Sequence, residues 1–170
     1  MFKFLRKQES GRSMIEMVGV LAVAGLLTAG AFVLVKSGMA SQKRNRAADE
    51  ISTLAQGVRS FAAAHLATTG YFGFLPWISN SGVPTKTVGG ESDYMTPYEM
   101  ARVLLKTEAT TPLGDGSYYA ISGEGNGFVI WLVGIESEEC EAMAVRTYSD
   151  GTATCSTISN KKVLKITYSK

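Results

Sequence analysis

Nineteen consecutive residues, Met17 to Val35, carry no charge: MVGVLAVAGLLTAGAFVLV. As an α-helix this run is about 28 Å long, close to the ~30 Å hydrocarbon core of a bilayer. A chain with such a segment must place it in lipid, against other apolar helices, or discard it during export. One carboxylate, Glu16, stands immediately before the run. A charge at such a boundary either marks the water-facing end of an anchor or has a partner and a task. A short basic leader, MFKFLRKQESG, precedes it and ends in Gly11, so that Glu16 is the fifth residue after a glycine.

The order of these parts, from basic leader through Gly11, four residues and Glu16 to an uninterrupted apolar helix, resembles the type IV prepilin signal. The motif itself lies in Gly11 to Val35, and the layout extends to about residue 66. The resemblance implies that a prepilin peptidase of the membrane cuts after Gly11 and methylates the new amine, which Arg12 supplies. That family usually has Phe or Met at this first position, so Arg12 is a departure. The apolar run has no proline, and in this it is closer to the type IVb branch.

A buried carboxylate needs a counter-charge. The resemblance implies that the Arg12 amine of a neighbouring subunit supplies it to Glu16, fixing the axial register of packed helices. The implied partners are further copies of the chain in a helical filament, other pilins, the peptidase, and an inner-membrane assembly machinery. The implied precursor sits in the inner membrane with its leader inside, as the positive-inside rule requires. The implied product is an extracellular pilus. A secretion-system pseudopilin shares the same N-terminal layout. An ordinary secretory signal is a third reading. Ala29-Gly30-Ala31 offers small residues after an apolar stretch, and cleavage there releases a domain starting near Phe32.

Charge excludes one class of function. The chain has 17 Lys and Arg against 15 Asp and Glu, and loss of residues 1–11 leaves 14 of each. This balance does not make a basic nucleic-acid surface, and no specific nucleic acid is expected. The one basic cluster after the apolar run, Lys43, Arg44 and Arg46, reads as a solvated helix face or a lipid-headgroup contact. The residues hold no phosphate-binding glycine loop, nucleophile elbow or metal-binding histidine pair. No enzyme activity, cofactor or metal is therefore expected. Asp115, Glu124, Asp150 and the acids of Glu136–Glu141 read as solvated turns without the oxygen spacing of a calcium loop.

From Lys36 to Leu66 there is no proline, and Ile51, Leu54, Ala55, Val58, Phe61, Ala62 and His65 recur at spacings of three and four. This predicts one apolar stripe. A single helix from Ser13 to Leu66 follows, apolar all round in front and amphipathic behind. His65 reads as a packing or last-turn residue. Residues 67–95, rich in Gly and Pro, read as a long loop with a turn near Phe74–Ile78. Tyr71, Phe72, Phe74 and Trp77 form an aromatic cluster within it.

Beyond the loop, Thr96-Pro97-Tyr98-Glu99 predicts a capped helix start, running to Lys106 and burying Met100, Val103 and Leu104. A turn at 111–116, strands at 117–122 and 128–133, a helix from Ser137 to Arg146, a turn at 149–151 and a last strand at 163–168 complete the reading. The fold class is α+β: a long N-terminal helix whose rear half packs on a small antiparallel sheet of three to five strands. The segments are a leader at 1–11, a membrane or filament-core helix at 12–35, an amphipathic half at 36–66 and a globular head at 67–170.

Cys140 and Cys155 are the only cysteines. An exported head reaches an oxidising space, which favours a Cys140–Cys155 disulfide over two buried free thiols. The Pro-x-Gly-x-Gly at Pro112–Gly116, followed by a strand, resembles the loop-to-sheet passage of type IVb pilins and pseudopilins. The order helix, first cysteine, turn, second cysteine and final strand resembles the C-terminal region of type IVb pilins, and implies a disulfide that pins an exposed loop to the sheet.

Overall fold

The computed structural model describes residues 12–65, 82–86, 95–124 and 127–169. The expected turn at Phe74–Ile78 and the aromatics Tyr71, Phe72, Phe74 and Trp77 lie outside the described residues, as does Gly11. The fold is α+β, with a long N-terminal helix packed on a small antiparallel sheet. By backbone contacts the chain divides into two compact units, Met1–Ser41 and Gln42–Lys170.

Helix α1 spans Arg12–His65 without a break. Its rear half belongs to the second unit and buries one stripe: Ala47, Ile51, Leu54, Ala55, Val58 and Ala62. These recur every three or four residues, so they share the side turned to the sheet. Ala47 extends the expected stripe by one turn. Phe61, expected within it, stays 37% exposed at its edge.

Helix α2 spans Pro97–Leu105, and its start follows from four residues. The Thr96 hydroxyl accepts from the Glu99 N–H at 3.2 Å, and the Glu99 carboxylate accepts from the Thr96 N–H at 2.9 Å. Two free donors of the first turn are thereby satisfied, and Pro97 has no N–H to satisfy. Lys106 ends the helix in the left-handed conformation, with φ 56°. Tyr98, Met100 and Ala101 are buried. Val103 is not: it is 54% exposed, a correction to the expected core. It lies about 140° around the helix from Tyr98, on the solvent side.

The sheet contains four strands: β1 (Tyr118–Glu124), β2 (Gly127–Val133), β3 (Gly151–Ile158) and β4 (Lys161–Tyr168). Their order is β1-β2-β4-β3, with every pair antiparallel. β2 is central and buried along its whole length, so it reads as a continuous apolar run rather than an alternation. Side chains that share a face are set by register. Ile121, Ile130 and Ile166 lie side by side, as do Leu132 and Leu164. Adjacent residues point to opposite faces. Tyr119 accordingly reaches α1, its hydroxyl donating to Glu50 Oε2 at 2.9 Å. Tyr118 turns away, donating to the Pro84 carbonyl at 2.6 Å and meeting the Tyr98 ring edge-on at 5.7 Å.

Helix α3 spans Ser137–Ala144, ending two residues before the expected Arg146. The Arg146 N–H donates to the Met143 carbonyl at 3.2 Å, a tighter three-residue closure that stops the helix. Strand β3 lies where only a turn and the second cysteine were expected. Its apolar content is low, and its place comes from pairing with β4 across Ser159-Asn160. Both turn residues take positive φ, 49° and 65°, as the twist of a two-residue hairpin requires.

Candidate functional site

The front half of α1 is built of residues with no inward side. Among the described residues, everything from Met14 to Gly38 is exposed. The large side chains in this part range from Val23, 58% exposed, to Ile15, 77% exposed. It is long and apolar enough to cross a membrane, and none of its most apolar stretch is buried. Water-exposed proteins rarely carry so continuous an apolar surface, which marks contact with lipid or with other proteins.

The hydroxyl groups in this segment are already satisfied by the helix itself. The Thr28 hydroxyl donates to the carbonyls of Ala24, at 3.0 Å, and Gly25, at 2.9 Å. The Ser37 hydroxyl donates to the Leu34 carbonyl at 3.0 Å. With backbone groups bonded along the helix, no hydroxyl is left to seek water, which is the condition for placing a segment in hydrocarbon.

The charged side chains of the segment are Lys36, near its rear, and, at its front, Glu16. Glu16 is exposed, and no ion pair joins it to another residue whose side chain is described. It begins a face formed with Gly19, Val20, Val23, Ala24 and Leu27, which together line a shallow open groove along the helix. Two of these residues, Gly19 and Ala24, are small, so a second helix can approach this face closely. Arg12 is the first residue of α1 and stands one turn ahead of Glu16, about 6 Å along the axis. The expected cleavage point lies between Arg12 and Gly11, the latter outside the described residues.

The two cysteines are joined. Cys140 on α3 and Cys155 on β3 form a disulfide with a Cα–Cα distance of 5.8 Å. It ties a helix to an edge strand, rather than a loop to the sheet as the resemblance implied. A second tie runs from α1 to α3. Arg44 Nε donates to Glu139 Oε2 at 2.6 Å, and Arg44 Nη2 donates to Glu139 Oε1 at 3.1 Å. This two-point geometry makes the strongest class of side-chain ion pair. Arg44 is therefore not part of a solvated face, as the sequence reading had it. Arg46 is, at 74% side-chain exposure, although it reaches Glu50 at 2.9 Å.

Glu50 is the residue that sequence reasoning missed. Periodicity sets it off the apolar stripe, yet it accepts from both Arg46 and Tyr119. The i,i+4 spacing of Arg46 and Glu50 was a legible signal, whereas Tyr119 comes from across the fold. Burial, reinforced by the Glu50 carboxylate, pushes the Tyr119 phenol well above its ordinary pKa. Asp150, Glu124 and Glu139, among the acids read as turns, are engaged by Arg59, Lys165 and Arg44. Among the described residues, no cluster of three or more metal-ligating side chains is present. His65 is the last residue of α1. No protein-family model, curated protein or solved structure matches the chain.

Proposed function

We propose that this chain is a structural subunit of a type IV-like pilus. It is made as a single-pass inner-membrane precursor, cut after Gly11, and polymerised through its N-terminal helix into an extracellular filament. One observation carries this reading: a single helix is bare and apolar on every side in front, with Glu16 at its leading edge, and buries only one stripe behind. The rear half has its partner in the sheet. The front half is exposed among the described residues, and on this reading it exchanges lipid for the helices of other subunits.

The mechanism follows from electrostatics. Glu16 enters a helix bundle only with a cation close by, because an unpaired buried carboxylate costs several kcal/mol. Cleavage after Gly11 creates such a cation, the Arg12 amine, at the very front of the helix. It also removes Lys3, Arg6 and Lys7, which hold the leader on the inner side. The pairing of one subunit's amine with its neighbour's Glu16 sets register. A head-to-tail contact of this kind does not close on itself and propagates as a helical filament. Release near Ala31 is the weaker reading, since α1 runs through Ala29-Gly30-Ala31 as unbroken helix.

The test is Glu16→Ala expressed in a piliated host. The precursor stays membrane-bound and is processed. Filament yield falls by about tenfold or more, the equivalent of one lost charge-assisted contact per subunit. Normal filament yield from that variant rejects the role of the carboxylate.

A further inference from the structure

The Gln42–Lys170 unit holds a cleft of about 480 Å³ between the rear half of α1, the residues after α3 and the end of β4. It faces two guanidinium groups, Arg59 and Arg146, and no Asp or Glu is among the described residues that line it. The two arginines differ in how far their charge is met. Arg59 lies 3.5 Å from Asp150, a largely exposed acid, and over the Tyr168 ring at 5.6 Å. Arg146 is held by neutral acceptors: Nη2 donates to Asn45 Oδ1 at 2.7 Å, and Nη1 donates to the Arg44 carbonyl at 3.4 Å. No ion pair joins Arg146 to a described carboxylate.

The rest of the lining is hydrogen-bonding and aromatic. Ser52 and Gln56 come from α1, Thr147 and Ser149 from the segment after α3, Tyr148 adds aromatic lining, and Tyr168, buried and stacked on Phe128, closes the end beneath Arg59. The Tyr148 hydroxyl is committed to the Met143 carbonyl at 3.0 Å, which fixes that ring in place. A fixed fork of donors with unmatched charge is complementary to a carboxylate. The surrounding hydroxyls and amide suit a ligand that carries many hydroxyls of its own. The volume falls in the range of small-molecule sites.

We infer that this cleft binds a sugar acid, its carboxylate received by Arg146 and Arg59 and its hydroxyls by Ser52, Gln56, Thr147 and Ser149. The site lies wholly within one unit of one chain, so it does not depend on whether the protein polymerises. A subunit carrying it would present an acidic-saccharide binding site on every copy.

The test uses the full chain in detergent, dispersed as single subunits, with backbone amide NMR shifts as readout. Glucuronate produces saturable shifts confined to 52–59 and 146–149, while glucose at equal concentration produces none. Arg146→Gln weakens glucuronate binding by about tenfold or more, the usual scale for one charge-assisted contact. Gln56→Glu, on the exposed wall, places a carboxylate beside the arginines and abolishes binding without touching the core, so a folding defect in the arginine variant does not spoil the test. Equal response to glucose, or tighter binding of inorganic phosphate than of glucuronate, overturns the assignment. Absence of any saturable response to glucuronate also overturns it. Because the dispersed subunit is measured, failure here leaves the filament reading standing, and failure of assembly leaves this site standing.

Discussion

At the scale of single residues, the head is held by polar groups whose charge state must not change. Tyrosine ordinarily titrates near pH 10. Burial pushes the Tyr148 phenol up to about 12 and the Tyr119 phenol higher still. Burial raises Tyr98, Tyr118 and Tyr168 as well. A raised folded-state value means that the unfolded chain releases protons first. The stabilisation is therefore complete below pH 10 and is lost as pH climbs toward 12 and beyond. Alkaline titration followed by phenolate absorbance and circular dichroism should show these tyrosines ionising together with unfolding, in a steep step above pH 10. Independent titration near pH 10 with the fold retained contradicts their burial. A second residue-scale prediction concerns Gly127. A Cβ there meets the carbonyl oxygen of Tyr168 across the β2–β4 ladder, and the obstacle is backbone that cannot turn aside. Gly127→Ala should cost about 2–4 kcal/mol in denaturant unfolding.

At the scale of elements, local chemistry and long-range pairing divide the work. Helix α2 was legible in the sequence because Thr96, Pro97 and Glu99 supply its cap from within four residues. The rear half of α1 was legible because Ile51, Leu54, Ala55, Val58 and Ala62 repeat at helical spacing. Strand β3 was not. Its GTATCSTI carries small and polar residues on an edge, and nothing in that composition distinguishes it from a loop until β4 is set beside it. The Glu50–Tyr119 bond was hidden for the same reason, since 69 residues separate its partners. The edge strand then depends on its covalent tie. The disulfide closes a loop with a sequence separation of 15, which corresponds to about 3 kcal/mol in the chain-entropy view. Cys140→Ser or Cys155→Ser, or reduction of the native protein, should lower the unfolding free energy by about that amount. Hydrogen exchange should rise first in β3. An unchanged denaturation midpoint would show that the α3–β3 contact stands without the bond.

At the scale of the whole molecule, one chain carries two solvent preferences. Residues 14–38 expose apolar surface on every side, while the unit beginning at Gln42 buries an ordinary core between helix and sheet. No rearrangement of the rear half satisfies the front half, because the stripe on α1 is already used by the sheet. On the function proposed above, the front is covered by lipid or other helices, and Glu16 takes a cation as partner. The leader–Gly11–Glu16 order carries this expectation in the sequence alone, because spacing along one helix is local information. The arginine cleft was invisible at that stage, since Arg59 and Arg146 meet only through the fold. The central claim is that the apolar front stays on the working protein with a new amine at its head. Mass spectrometry of the protein recovered from the cell surface measures this directly. The account predicts a chain that begins at Arg12 and retains residues 12–35. A chain beginning near Phe32, or an assembled chain that still begins at Met1, contradicts it.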